Sequence, residues 1–157
     1  MQHFIIDGYN LIHAIPSLKH LLAHDAHQAR EQLIHHVSML THKRKFRCTI
    51  VFDGAQPKDA PRSSSHAPIH VVYSFPHNAD LKIKEMIEQS KNRSLLVIIS
   101  SDHEIQNFAR VCSCTVHTSK HFAHLLFEEE TAGEEKSDAP LSQAQVTEWL
   151  KIFGEKK

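Results

Sequence analysis

Three short apolar runs in the sequence each lead into an aspartate. The pairs are residues 4–6 with Asp7, residues 50–52 with Asp53, and residues 95–99 with Asp102. Short runs rich in Ile and Val are typical of buried strands in a parallel sheet, where ligands bind beyond the carboxyl ends. Asp80 follows Asn78, which can cap a helix, so we expect it in a first helical turn. Four carboxylates can therefore converge on one edge, and such an oxygen-only cluster suits Mg²⁺ or Mn²⁺.

Each of these aspartates also has a purely structural explanation. A single Asp at a strand end is more often a turn former or a helix cap. Asp53 precedes Gly54, which favours a tight turn, and Asp102 lies between Ser101 and Glu104, a pair that forms a capping box. Turn formation or helix capping can explain each aspartate by itself. It explains less well why all four lie at predicted strand ends or helix starts, so we retain the hypothesis that they bind a metal ion.

Other chemistries that use a parallel sheet need residues that this chain lacks. The sequence has four glycines and neither the P-loop pattern nor the spaced glycines of a dinucleotide site. It contains no Gly-x-Ser-x-Gly nucleophile elbow. A phosphoaspartate receiver fits better, but no convincing lysine follows the last predicted strand. The remaining chemistry is metal-assisted attack of water on a phosphodiester, which carboxylates alone can arrange.

Length and composition are those of one globular domain. The chain has 157 residues, of which 41% are hydrophobic and 23% charged, and no apolar run is long enough to span a membrane. The start of the chain does not resemble a signal peptide. Three cysteines cannot all pair with one another, which favours reduced thiols. We therefore expect a cytoplasmic protein with no membrane partner.

Charge is unevenly distributed although the total is zero. Residues 1–126 contain 14 Lys and Arg against 10 Asp and Glu, a net of +4, and residues 127–157 contain 4 against 8, a net of −4. A basic surface favours a phosphate backbone, but a charge run is often only a solvated face, so both interpretations stay open. The candidate RNA contacts are Lys43, Arg44, Lys45, Arg47 and Lys82.

Strand and helix patterns alternate along the chain. Strands are predicted at 3–7, 48–53, 69–73, 95–100 and 115–117, and helices after Gly8, from about 26 to 40, at 79–90, after Asp102, and at 119–130. Asp25 with Gln28 forms a capping box for the second of these helices. This alternation predicts an α/β fold, a three-layer α/β/α sandwich with a mainly parallel central sheet.

The acidic end of the chain is predicted to form a separate segment. We assign residues 1–130 to the domain, 131–141 to an acidic linker and 142–157 to a terminal helix. The apolar stripe of that helix comprises Val146, Trp149, Leu150 and Phe153. A stripe of this kind seldom stays exposed, so we expect the helix to dock on the domain.

Four motifs of the sequence resemble those of a known protein family. The motifs are Ile5-Ile6-Asp7-Gly8-Tyr9-Asn10, Val51-Phe52-Asp53-Gly54, Asn78-Ala79-Asp80-Leu81-Lys82-Ile83 and Ile98-Ile99-Ser100-Ser101-Asp102. Together they are similar to the NYN domain of the PIN-like nuclease superfamily, in particular its YacP-like bacterial group. The resemblance runs from about Phe4 to Glu130 and includes the terminal helix. It implies a PIN-like sheet, endoribonuclease activity dependent on Mg²⁺ or Mn²⁺, and cleavage of messenger RNA on the ribosome.

The resemblance also implies roles for individual residues. Asp7, Asp80 and Asp102 correspond to the catalytic, metal-binding acids, and Asn10 to the polar catalytic residue that orients Asp7 or a substrate phosphate. Asp53 is a weaker member of the metal set. Many PIN-like nucleases carry another acid about one turn into the helix after the last catalytic strand, where this chain has Gln106. That departure favours one bound ion over two.

Two hypotheses of function follow. The first is a metal-dependent endoribonuclease whose partners are RNA and the ribosome, without a small-molecule cofactor. The second is a catalytically weak RNA- or ribosome-binding module of the same fold. Both need the same sheet and the same charge, so the sequence leaves them open, as it does the oligomeric state.

Overall fold

The computed structural model describes residues 1–58 and 69–134, and side chains up to residue 127 within those ranges. The strands are β1 (His3–Asp7), β2 (Arg47–Phe52), β3 (Ile69–Tyr73), β4 (Leu96–Ile99) and β5 (Thr115–His117). The helices are α1 (Gly8–His13), α2 (Pro16–His24), α3 (Ala26–Lys43), α4 (Ala79–Gln89), α5 (His103–Val111) and α6 (Ser119–Glu134). A 3₁₀ turn at Arg93–Leu95 precedes β4.

The five strands form one parallel sheet in the order β3-β2-β1-β4-β5. The central strand β1 lies between β2 and β4, where Ile6 is in register with both Ile50 and Ile99. The chain winds outward in one direction from β1 to β3 and in the other from β4 to β5. Ligands bind at such a switch point, beyond the carboxyl ends of the strands.

Alternate residues of the strands face two different helix layers, as the predicted three-layer α/β/α sandwich requires. Phe4 and Ile6 pack in a core with residues of α1, α2, α3 and α6. Ile5 and Val51 pack in a second core with residues of α4 and α5. Because side chains alternate along a strand, Asp7 continues the direction of Ile5, and Asp53 that of Val51. Both acids are thereby directed to the α4–α5 side of the sheet.

The acidic segment differs from the sequence prediction where the structure describes it. Helix α6 continues to Glu134, so residues 131–134, assigned to the linker, are helical. Glu and Ala are strong helix formers, and the single Gly133 does not outweigh them. The predicted docking of 142–157, with its stripe of Val146, Trp149, Leu150 and Phe153, lies outside the described residues. Within the described part of the chain, no helix is long and apolar enough to cross a membrane.

Candidate active site

The Asp-Gly-Tyr-Asn motif begins α1 directly at the end of β1. A side chain at Gly8 would lie 2.5 Å from ring carbons of Phe52, closer than real side chains approach one another, so glycine fits this position. The Tyr9 ring lies 5.0 Å from the same Phe52 ring, centroid to centroid, and its hydroxyl accepts a hydrogen bond from the buried Arg30 at 3.1 Å. Gly8 and Tyr9 therefore hold the start of α1 against the sheet and set the position of Asp7.

Asn10 connects three elements at the carboxyl edge of the sheet. Its side-chain oxygen accepts hydrogen bonds from the Ser101 N–H at 2.8 Å and from the Ser119 hydroxyl at 2.5 Å. That Asn10 orients Asp7 or a substrate phosphate stays a prediction. The side chain ties the turn after β4 to the start of α6.

Asp7 is a partly buried carboxylate among other acids. Burial raises the pKa of Asp7 to about 6, and the nearby charges of Asp102 and Asp53 act in the same direction. The hydrogen bond from the Ser100 hydroxyl, at 3.2 Å, and the nearby backbone N–H of Asn10 oppose this rise. Such a shift marks a site where the ionised carboxylate lacks a compensating cation.

Asp102, and not Ser101, caps α5. One Asp102 oxygen accepts from the N–H groups of Glu104 and Ile105, at 2.9 and 3.1 Å. The predicted capping box of Ser101 and Glu104 is therefore wrong, because the Ser101 hydroxyl instead accepts from the Ser119 N–H at 3.1 Å. The cap fixes the Asp102 carboxylate at the helix N-terminus.

Asp80, Asp102 and Glu104 form the acid cluster of this edge. Each offers one carboxylate oxygen, and these oxygens lie within 4.8 Å of one another. Among the described residues, this metal-sized group does not include Asp7 or Asp53. Glu104 is absent from the sequence-based set because its position suggested a capping role. Its position in the first turn of α5, two residues after Asp102, was the signal in the sequence that could have added it to the predicted metal ligands.

Asp80 has one carboxylate oxygen without a hydrogen-bond partner among the described residues. Its Oδ1 is buried without a hydrogen-bond partner, and its Oδ2 lies 3.2 Å from the ammonium of Lys84. That ammonium also donates to Glu104 at 2.8 Å, a bond that raises the pKa of Lys84. An unsatisfied buried carboxylate oxygen is costly unless a cation or water reaches it. The all-carboxylate donor set therefore fits Mg²⁺ or Mn²⁺.

Asp53 is engaged in holding the helix that carries Asp80. Its Oδ1 accepts from the Ala79 N–H at 3.0 Å and, weakly, from the Ser74 hydroxyl at 3.4 Å. Asn78 caps the same helix through the Leu81 N–H at 2.8 Å, as its sequence position predicts. The contacts of Asp53 are those of a residue that positions α4, and its binding of a metal stays a prediction.

Gln106 occupies a buried place behind the site. Its side-chain amide donates to the Ser100 carbonyl at 2.7 Å, and both residues are almost completely inaccessible to water. An ionised acid at this position has no proton to donate to that carbonyl. The neutral amide therefore stabilises the Ser100 turn, whose hydroxyl accepts from the Asp102 N–H and donates to Asp7.

The predicted basic run lies at the opposite edge of the sheet. Lys43 ends α3 and Arg47 begins β2, so the run forms the turn that enters the amino end of β2. A six-residue strand is roughly 20 Å long, which separates the run from the acids at the other edge. A turn that precedes a strand lies at the amino end of that strand, so these cations do not flank the acids. Contact with RNA by Lys43, Arg44, Lys45 and Arg47 stays a prediction.

Other cations lie at the edge that carries the acids. Lys82 and Lys84 belong to α4, close to Asp80 in the chain. A cavity of about 270 Å³ at the start of α6 is lined by Thr118, Lys120, His121 and His124. The Ser119 contacts to Ser101 and Asn10 connect this helix start to the site. The sequence alone did not single out Lys120, because it is an isolated basic residue.

Comparisons with known proteins agree with this architecture. The sequence model of the YacP-like NYN domain matches residues 4–152. "Uncharacterized protein YacP" from Bacillus subtilis (strain 168) is 24% identical over 110 residues, which is 69% of this chain and 65% of that protein. The chain thus spans less than two thirds of this curated relative.

Two solved structures have the same fold. The crystal structure of Rae1 (YacP) from Bacillus subtilis is 21% identical and superposes with a TM-score of 0.73, covering 87% of this chain and 79% of that one. A mutant of the same protein, also 21% identical, gives a TM-score of 0.65 over 98% and 92%. These likenesses establish the α/β fold of the chain.

Proposed function

The chain belongs to the YacP-like NYN domain family, and we propose from this premise that it is an endoribonuclease dependent on Mg²⁺ or Mn²⁺. The observation that carries the proposal is the acid cluster of Asp80, Asp102 and Glu104, with an unsatisfied buried oxygen on Asp80. When bound at this cluster, a divalent ion would activate a water molecule and offset negative charge on the phosphate.

The residues around the cluster have distinct parts in this proposal. Asp80, Asp102 and Glu104 would hold the ion, and Asp7, at the end of β1 and near Asp102, would contribute to the same site. Asn10 and Ser100 position Asp7 and the Asp102 turn through their hydrogen bonds. Lys82 and the basic residues around the 270 Å³ cavity lie at the same edge of the sheet and bind phosphates that flank the cleaved bond.

Messenger RNA is the proposed substrate, in a cytoplasmic and ribosome-associated setting. The support is the family resemblance together with the net charge of +4 over residues 1–126. One observation favours the alternative of a catalytically weak RNA- or ribosome-binding module, because the Lys84 ammonium contacts two acids of the cluster. Cleavage and binding assays separate the two functions.

The decisive experiment is cleavage of an end-labelled structured RNA with Mn²⁺ and with EDTA. We expect cleavage only with Mn²⁺, and a loss of at least about a hundredfold for Asp80→Asn, because the variant removes a charged ligand. Asp25→Asn is the matched control, since Asp25 caps α3 and Asn caps a helix equally well. RNA that is bound but not cleaved by the wild type would establish the binding module instead.

The basic run is tested by replacing Lys43 and Lys45 together with Ala. If both contact phosphates, RNA affinity falls for all sequences, and the salt slope decreases by about 1.4, twice the single-strand factor of about 0.7. Cleavage at saturating RNA stays at the wild-type rate, because the run lies at the far edge of the sheet. Lys120→Ala, at the near edge, lowers both affinity and rate. An unchanged slope in the double variant would show that the run is solvated surface.

A further inference from the structure

Lys84 holds a positive charge inside the acid cluster. Its ammonium lies 3.2 Å from Asp80 Oδ2 and 2.8 Å from Glu104 Oε1, and 5.7 Å from the centre of the Phe108 ring. Only 18% of its side chain is exposed. The cation therefore bridges α4 and α5 through two of the three carboxylates that form the metal-sized group.

Neighbouring elements keep Lys84 in this place. Asp80 and Lys84 are four residues apart on α4, the spacing at which an acid and a following lysine meet on one helix face. Glu104 lies across the helix pair, in the first turn of α5, and Phe108 is one turn further along the same helix. The stem of Lys84 thus crosses from α4 to α5, and its charged end lies at the cluster.

We propose that Lys84 is the built-in second cation of this site, so that the acid cluster binds one divalent ion and not two. This inference rests on the proposed metal-dependent function and specifies its stoichiometry. Asp80, Asp102 and Glu104 carry three negative charges when ionised, and Lys84 offsets one of them. The ammonium also occupies the contacts with Asp80 Oδ2 and Glu104 Oε1 that a second divalent ion would need.

The position of Lys84 also distinguishes the two oxygens of Asp80. Oδ2 contacts the ammonium, whereas Oδ1 is buried and has no hydrogen-bond partner in the part of the chain that the structure describes. One carboxylate can therefore contact Lys84 and a metal ion at the same time, through different oxygens. A second divalent ion would have to displace the ammonium from Oδ2, against the repulsion of like charges.

Mn²⁺ binding to the full chain, measured by calorimetry without RNA, tests the inference apart from catalysis. We expect one ion for the wild type. For Lys84→Met we expect two ions, with the first bound at least about tenfold tighter, because a nearby positive charge is removed. We expect the same two ions for Lys84→Gln, a polar neutral variant. Lys84→Arg keeps the positive charge and should bind one ion, as the wild type does. Lys91→Met is the control, since Lys91 is an exposed lysine beyond the end of α4.

The outcomes separate this inference from the proposed function. One ion of equal affinity in the wild type and in both neutral variants would overturn the role of Lys84 and leave the metal site intact. Two ions in the wild type would also overturn it. Absence of Mn²⁺ binding in all variants would overturn the proposed function and, with it, the inference.

Discussion

Asp7→Asn is expected to abolish metal-dependent RNA cleavage while stabilising the metal-free protein at neutral pH. The carboxylate is proposed as a metal ligand, so its loss should reduce the rate at least about a hundredfold. Without metal, the same carboxylate is a partly buried charge near Asp102 and Asp53. A neutral amide removes that repulsion and the cost of burying the charge.

The stability gain depends on pH in a defined direction. Burial raises the pKa of Asp7 from 3.8 to about 6 in the folded protein. Folding therefore favours the protonated acid, and the stability that the group contributes below pH 3.8 is lost as the pH rises through about 6. We expect Asp7→Asn to exceed the wild type by about 1–3 kcal/mol in free energy of unfolding at pH 8, and by little at pH 4.

Urea denaturation in EDTA at several pH values measures this difference. Titratable groups elsewhere are common to both proteins, so the difference between their unfolding free energies isolates the group at position 7. Added Mn²⁺ should stabilise the wild type more than the variant, because ligand binding stabilises the folded state. A variant that cleaves RNA normally would remove Asp7 from the mechanism, and one that is less stable at pH 8 would contradict the burial argument.

Gln106→Glu is expected to destabilise the protein although it introduces the acid that many PIN-like nucleases carry. The Ser100 carbonyl loses its 2.7 Å donor, and a carboxylate enters a place that is only 5% exposed. Leaving a buried acceptor unpaired costs about 1–3 kcal/mol, and ionisation of the new acid adds to this. We expect a loss of about 2–4 kcal/mol at pH 8.

The pH dependence of this loss identifies its origin. A buried glutamic acid has a raised pKa, so the stability of the variant declines as the pH rises, and its deficit is smaller at pH 5. Gln106→Met is the control, because it removes the hydrogen bond without adding a charge. Its loss should be about 1–3 kcal/mol and nearly the same at both pH values. A Glu variant as stable as the wild type at pH 8 would show that this position tolerates the acid.

Local signals in the sequence determined the strands, the other helices and the edge of the sheet that carries the acids, but did not predict α2 (Pro16–His24). Apolar runs before Asp7, Asp53 and Asp102 predicted parallel strands, and the structure has them in one parallel sheet. Asp25 and Asn78 cap α3 and α4 as their spacing predicted. These signals act over a few residues, through side-chain alternation and the unsatisfied N–H groups of a helix start. Their consequences therefore follow from the sequence alone.

Which acidic side chains lie close together depended on the tertiary structure. Lys84 and Glu104 are 20 residues apart in the chain, and only the packing of α4 against α5 brings their charged groups together. Ser101 has a sequence position that suits a cap, yet its hydroxyl accepts from Ser119, 18 residues further along. Such pairs depend on the relative positions of helices that a one-dimensional pattern does not contain. The family and the acids at the strand ends could thus be predicted from the sequence. The cluster of Asp80, Asp102 and Glu104 with Lys84 forms only when α4 packs against α5.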